Sequence, residues 1–373
     1  MKILFTTFPA KGHLHPLVPL ALAARQAGHD VRLATGADLA AWAVECGIDA
    51  QPVGLTQADA TRVANERYSW PEAAEHLFTD VWVGAAMPDL LELSRSWCPD
   101  LVISEEEEYA GVLLAAIVGV PCVTHSWSSP ARPLAGRETA LRLMAPIWAR
   151  YLPETVPRTT GQMYLDSCPP PMQSEDIANI QNVVTVRPST FDGPKYIPSG
   201  WKSDFPRPAA YVTLGTVPLF STPERLAQLA HAIAPLFASI VMTTGPNPVK
   251  SLPELPFNVR TFQYLSQSLV LGHVDLVVSQ GGAGGTIGAL MNALPHLVIP
   301  QAAQSQVTVS RAIETIGVGI SLDENHRSDD HIREAVKTLK EDSTYSARAA
   351  QVRAELMRLP SPSEVVRLIE DFS

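Results

Sequence analysis

The sequence predicts an α/β protein of two Rossmann-like, doubly wound parallel-sheet domains facing a cleft. Three observations predict it. Short β-rich apolar runs alternate with helical stretches from the first residues, and βαβ order forces parallel pairing. The same alternation restarts after a proline-rich stretch near residue 200. In each half, glycines follow a predicted strand, where such sheets hold their ligands. A length of 373 residues fits two domains of roughly 100–200 residues each.

Lys2–Thr7 is the first predicted strand, with Gly12 beyond its turn. Pro16–Ala27 is helical, because Leu17, Leu20, Ala21 and Ala24 share one face, and Gly28 stops it. Val31–Ala34 is the next strand. Leu101–Ser104, a helix, and Cys122–His125 repeat the pattern. From about Thr155 to Pro208, prolines 169, 170, 171, 188, 194, 198, 206 and 208 favour an extended connection over a packed helix. The expected boundaries are a first domain at 1–190, a linker at 191–207 and a second domain at 208–360. A terminal helix at 361–373, with Ser363 as its N-cap, is expected to pack back on the first domain. The second domain has strands at Ala210–Leu214, Ile240–Thr243, Asp275–Ser279 and His296–Ile299. Its helices fall near Pro223–Leu236, Gly284–Ala293 and Ser305–Ile316.

Composition excludes several classes. A net charge of −10 opposes binding to nucleic acid or to anionic membrane surfaces. Any anionic ligand must then be attracted locally, by backbone N–H groups and helix ends. Cys46, Cys98, Cys122 and Cys168 are far apart, which excludes a zinc knuckle or redox pair and fits a reducing compartment. The apolar run Ile3–Phe5 stops too soon for a signal peptide. The longest apolar stretch, Tyr109–Val123, is interrupted by Pro121 and is too short to span a bilayer. A cytoplasmic protein without nucleic-acid or membrane partners is expected.

His13 follows Gly12 in the first βα loop and suits proton abstraction near neutral pH. His15 competes for that role, although Pro16 starts the next helix and leaves His13 nearer the loop. A carboxylate would fix the tautomer of such a base. Of the run Glu105–Glu108, Glu105 sits closest to its strand. Mutual repulsion should turn most of the run toward water, and a favourable helix N-terminus accounts for Glu107 and Glu108. Ser279-Gln280-Gly281-Gly282-Ala283-Gly284-Gly285-Thr286 joins a strand to a helix, so its amides and helix start suit a diphosphate. Gly215-Thr216 holds the equivalent place after the domain's first strand. The spacing is neither GxGxxG nor a P-loop, which disfavours an NAD-dependent oxidoreductase.

Gly12-His13, Gly28-His29-Asp30-Val31, His273–Val278 running into Gly281-Gly282, Pro300-Gln301 and Leu359–Val366 together carry a resemblance. The chain resembles the inverting nucleotide-sugar glycosyltransferases of bacterial natural-product pathways. These share the GT-B fold with macrolide, enediyne and other antibiotic glycosyltransferases and with UDP-glycosyltransferases. The likeness covers nearly the whole chain and is loosest over residues 55–200. It implies an acceptor-binding first domain and a nucleotide-sugar-binding second domain. His13 matches the general base and Glu105 its supporting carboxylate. Tyr264 falls where an aromatic residue stacks near the base, beside Gln267. Gly215, Thr216 and the segment Gln280, Gly281, Gly282, Ala283, Gly284, Gly285 and Thr286 match donor-binding positions, as do Gln301, Gln304 and Ser305. Gln280 stands where the family usually has His, and Gln keeps a donor but no charge. Ala283 and Gly285 replace hydroxyl residues, and Gln304-Ser305 replaces Asp-Gln.

The resemblance implies transfer of a sugar, in particular a deoxysugar, to a small, largely apolar acceptor in one inverting displacement. The co-substrate is a nucleoside-diphosphate sugar, TDP-linked ahead of UDP-linked, with no separate cofactor and no metal. A homodimer is allowed for. Trp70, Trp82, Met87, Trp127 and Trp148 are the candidate acceptor-lining residues. Two alternatives share this architecture: a non-catalytic partner protein with a degenerate donor site, and a sugar epimerase.

Overall fold

A computed structural model describes residues 1–193, 197–215, 221–301 and 304–372. They form two compact units. One comprises Met1–Cys168, Gln173–Phe191 and the chain from Leu359 onward; the other comprises Pro169–Met172 and Asp192–Arg358.

The first unit is built on seven parallel strands: β1 (Lys2–Thr6), β2 (Asp30–Thr35), β3 (Asp49–Pro52), β4 (Leu101–Glu105), β5 (Cys122–His125), β6 (Met163–Asp166) and β7 (Val183–Thr185). Their order is β3-β2-β1-β4-β5-β6-β7. β4 and β5 are buried throughout, as strands covered on both faces must be. Covering them are α1 (Lys11–Leu14), α2 (Val18–Gln26), α3 (Ala37–Glu45), α4 (Gln57–Arg67), α5 (Glu72–His76), α6 (Trp82–Trp97), α7 (Tyr109–Val118) and α8 (Leu134–Tyr151). A π-helical turn, Leu77–Val81, joins α5 to α6. Alternate strand residues divide between two cores. Leu4 and Val102 pack with α6 and α7, whereas Ile3, Phe5 and Ile103 pack with α2.

Strand order reverses between β1 and β4, where Thr6 lies opposite Ser104. The loops after these two strands therefore leave the sheet side by side. Such a switch point is where doubly wound sheets bind ligands.

The second unit repeats this plan with β8 (Ala209–Thr213), β9 (Ser239–Thr243), β10 (Val259–Phe262), β11 (Leu276–Ser279), β12 (His296–Val298) and β13 (Gly319–Ser321). The order is β10-β9-β8-β11-β12-β13, again parallel, with its switch between β8 and β11. Its helices are α9 (Pro223–Ile233), α10 (Gln267–Val270), α11 (Ala283–Met291), α12 (Gln304–Thr315), α13 (Asp329–Glu341) and α14 (Ser343–Leu356).

The last helix, α15 (Pro362–Phe372), belongs to the first unit: Val365, Val366 and Ile369 join the core beside α2. Its cap is Ser361, not the expected Ser363. The Glu364 N–H donates to Ser361 Oγ (3.4 Å), and the Ser361 N–H donates to Glu364 Oε2 (2.8 Å). This reciprocal box places Pro362 at the first helical position, where its missing N–H costs nothing. The stretch expected to be a plain extended connection also contains β6 and β7. They have four and three residues, too short for a hydrophobic alternation to stand out among prolines. Among the described residues no helix is long and apolar enough to cross a membrane.

Replacing Ile369 by Ala should cost about 2–5 kcal/mol, because the side chain fills a closed core. Ser361→Ala should cost about 1 kcal/mol through the lost cap. Urea denaturation of the full chain checks both, and equal effects would contradict this packing.

Candidate functional site

In the first unit, α1 is a single turn that follows β1 directly and brings His13 back over the strand ends. The imidazole is buried, with Nδ1 3.0 Å from Glu105 Oε2. The pair is close but not aligned as a straight hydrogen bond. The other carboxylate oxygen, Oε1, accepts the Glu107 N–H at 2.9 Å. Glu105 is thus fixed at both oxygens, and no hydrogen bond occupies His13 Nε2 among the described residues. The ring stacks on Trp127 (4.5 Å, 26°) and on Phe78 (5.5 Å, 27°), and meets Phe8 edge-on. Burial alone would lower the His13 pKa. The charge and contact of Glu105, with help from Glu107, outweigh it and raise the pKa above 6.5.

His15 has a different environment. It stacks on Trp42 at 4.9 Å and meets Phe191 edge-on. Burial, reinforced by Lys11, lowers its pKa to about 4. It lacks the carboxylate that would stabilise the proton a base takes up.

The remaining glutamates do not face water as repulsion suggested. Glu108 is 1% exposed and caps α7, accepting the N–H groups of Ala110 and Gly111 and the Trp82 Nε1–H. Glu106 accepts the Trp127 N–H (3.2 Å) and the Tyr164 hydroxyl. Glu107 pairs with Arg132 (3.2 Å). Separate partners let the carboxylates sit indoors side by side.

In the second unit, β11 delivers the glycine segment to the switch point. Ser279 Oγ accepts the Gly281 N–H (3.0 Å) and lies 2.7 Å from His296 Nε2. Gly281 has φ +83°, and a Cβ there would meet Val298 Cγ1 at 2.8 Å. The turn therefore requires glycine twice over. It launches α11 from Gly282 with no side-chain cap and no acidic residue in the first turn. The leading N–H groups of that nine-residue helix are left for an anion. Thr286 Oγ1 is buried there without a partner.

Of the other expected donor residues, two lie at this turn. The Gln280 amide lies against Gly215 and Gly282, and Gln267 lies beside Gly285 and Gly288. The Tyr264 hydroxyl donates to the Asp192 carbonyl at 2.8 Å. Gln301 is buried: its amide donates to the Ile299 carbonyl, and its N–H is taken by Gln306 Oε1, both at 2.7 Å. Ser305 is exposed on α12. Thr216 lies outside the described residues, as does the Gln304 side chain.

Residues 22–215 and 227–372 match the N- and C-terminal domains of the Erythromycin biosynthesis protein CIII-like family. The chain belongs to this family. It is accordingly a glycosyltransferase, with the two-sheet architecture of the GT-B class. The L-demethylnoviosyl transferase of Streptomyces niveus is 31% identical over 98% of this chain and 96% of that one. The aclacinomycin-T 2-deoxy-L-fucose transferase of Streptomyces galilaeus is 27% identical over 100% and 96%. The crystal structure of glycosyltransferase VinC in complex with DTDP superimposes with a TM-score of 0.81 at 25% identity, covering 100% of this chain and 99% of that one. A non-catalytic partner protein is not favoured among relatives that are named transferases.

For this CIII-like glycosyltransferase, three expected acceptor residues need correction. Trp82 (1% exposed), Met87 (0%) and Trp148 (1%) are core side chains. Trp82 is tied to Glu108, and Trp148 donates to Thr155 Oγ1 at 2.7 Å. They pack into the interior of the unit and present no surface to a ligand. Trp70, by contrast, is 80% exposed, and Trp127 stacks on the candidate base. Phe8, Phe78 and Arg132 were not foreseen from the sequence. Phe78 sits on the π turn, a geometry that has no spacing signature.

Replacing His13 by Ala should lower turnover by about 10²–10⁴-fold. The base works unprotonated, so the acid limb of kcat/KM should lie above pH 6.5. Glu105→Gln removes the raising influence and leaves burial dominant, so the limb should move to lower pH while the maximum rate falls. A pH–rate series on both proteins checks the sign; an upward shift would contradict the pairing. Gly281→Ala should abolish nucleoside-diphosphate binding measured by calorimetry.

Proposed function

We propose that this protein transfers a deoxysugar from a TDP-sugar to a small, largely apolar natural-product acceptor, with inversion and without a metal ion. The observation that carries the reading is the His13–Glu105 contact at the β1/β4 switch point, which orients Nδ1 inward and leaves Nε2 for an acceptor. His13 Nε2 takes the acceptor proton as the acceptor atom bonds to the anomeric carbon. The bond from that carbon to the diphosphate oxygen breaks, and the nucleoside diphosphate leaves with the electron pair. Glu105 stabilises the imidazolium that forms. The first-turn amides of α11 and the Thr286 hydroxyl receive the leaving charge.

Support for the sugar class comes from the 2-deoxy-L-fucose named for the Streptomyces galilaeus relative, and for the nucleotide from the DTDP bound to VinC. The replacement of the family's Asp-Gln by Gln304-Ser305 removes an ionic partner for sugar hydroxyls, which a deoxysugar needs least. Trp127 and Phe78, beside the base, suit a flat apolar acceptor. Widely spaced cysteines suit work in a reducing cytoplasm.

The test is a matrix of TDP-2-deoxy-L-fucose, TDP-glucose and UDP-glucose against anthracycline, coumarin and macrolide aglycones, read by mass spectrometry with and without EDTA. Product from the TDP-deoxysugar, unaffected by EDTA, is expected. Thymidine diphosphate at 100 times its Kd should add about 2.7 kcal/mol of stability. No thermal shift with thymidine diphosphate and no glycoside from any pair would overturn the reading.

A further inference from the structure

The proposed chemistry uses Glu105 but leaves a neighbouring cluster unexplained. Arg132 lies on the loop between β5 and α8, five residues beyond Trp127. Its Nη1 donates to Glu107 Oε1 (3.2 Å) and to the Tyr109 hydroxyl (3.3 Å), and its Nη2 donates to Glu75 Oε2. The guanidinium therefore joins three segments. Glu107 lies two residues past Glu105, whose Oε1 accepts its N–H. Glu75 lies on α5, three residues before Phe78. Arg132 itself extends the loop that carries Trp127. Both aromatic rings stacked on His13 thus come from segments that meet at this one side chain.

A second feature indicates that the fold makes room for Arg132. Gly136, inside α8, has no Cβ where one would stand 2.7 Å from Arg132 Nε and 3.2 Å from its Cγ. A glycine within a helix costs stability relative to alanine. Here it leaves space for the stem of the guanidinium, which is not a freely swinging tip. The planar fork serves two carboxylates and a hydroxyl from a fixed geometry, which the compact, freely rotating ammonium of a lysine does not reproduce.

We propose that Arg132 is a positioning residue, which holds Phe78 and Trp127 against His13 by bridging Glu75 and Glu107 and so sets the wall along which the acceptor reaches the base. The inference rests on the reading of His13 as that base. Thymidine diphosphate binding, which belongs to the second unit's glycine turn, should not depend on it.

The His13 Cε1–H signal in the NMR spectrum of the 373-residue chain, assigned with His13→Gln, reports the stacked rings through their ring currents. In Arg132→Met it should move toward the shift of a solvent-exposed histidine, with partial return in Arg132→Lys. With an aglycone that the donor–acceptor matrix shows to be glycosylated, the acceptor KM should rise about tenfold while kcat changes less than threefold. Thymidine diphosphate affinity should stay within twofold. Gly136→Val, which displaces Arg132 without changing charge, should shift the same signal, as should Glu75→Gln, the milder variant if Arg132→Met fails to fold. An unmoved signal in Arg132→Met, or in Glu75→Gln and Gly136→Val where it does not fold, overturns the proposal. A signal that moves while His13→Ala retains full transfer keeps the positioning role and overturns the base instead.

Discussion

Parallel pairing of β1 with β4 is the constraint from which the site follows. Thr6 opposite Ser104 brings two loops out of the sheet at the same level, one carrying His13 and the other Glu105. Neither side chain would be stable in this position alone. A buried carboxylate needs a cation or hydrogen-bond donors, and a buried imidazolium needs a counter-charge. Glu105 has the Glu107 N–H on one oxygen and the His13 ring on the other. The second unit repeats the construction with different chemistry. Thr213 lies opposite Ser279, and the loops that emerge carry glycines and an uncapped helix instead of an acid and a base. One fold rule thus underlies both the proposed base of one unit and the proposed anion seat of the other.

Four consecutive glutamates would be a liability in a chain of net charge −10. The structure resolves it by giving each a different direction. Glu108 turns back to cap α7, Glu106 reaches Tyr164 and the Trp127 N–H, and Glu107 reaches Arg132. Burial pushes the pKa of Glu106, Glu107 and Glu108 above the usual carboxylate range, and the hydrogen bonds to Glu106 and Glu108 and the charges of His13 and Arg132 beside Glu107 act against it. The run is thereby both an electrostatic support for His13 and a scaffold for its surroundings. Its sequence shows the charge, but only the fold shows the four directions.

That distinction explains what could be foreseen. His13 and the segment from Ser279 to Thr286 follow strands whose apolar runs are unmistakable, so strand position alone located them. Glu105 stands out from its neighbours because it ends β4, and Glu108 caps α7 as its expected place at a helix N-terminus implies; what repulsion within the run misjudges is exposure, because Glu108 is buried. Trp82, Met87 and Trp148 were expected at a ligand because aromatic and Met side chains suit flat molecules. Composition does not say which face of a helix such a residue occupies, and α6 and α8 turn these three into the core. Phe78 and Arg132 escaped because their roles arise from contacts across segments, Arg132 reaching Glu75 at a separation of 57 residues.

The donor turn has a consequence for how the protein responds to pH. The family usually has a histidine before the two glycines, and such a side chain would titrate beside the diphosphate. Here Gln280 cannot titrate. The histidine that does lie under the turn, His296, is fully buried against Ser279, and burial lowers its pKa to about 3. It is neutral throughout the working range and, among the described residues, meets the turn through Ser279, which in turn accepts the Gly281 N–H. In the proposed reaction the attraction for a diphosphate then comes from backbone amides and the helix end, whose partial charges do not change with pH. The two units therefore divide the labour electrostatically. In the proposed reaction a fixed field receives the leaving group in one, and proton removal in the other falls to an imidazole whose pKa burial lowers and Glu105 and Glu107 together raise.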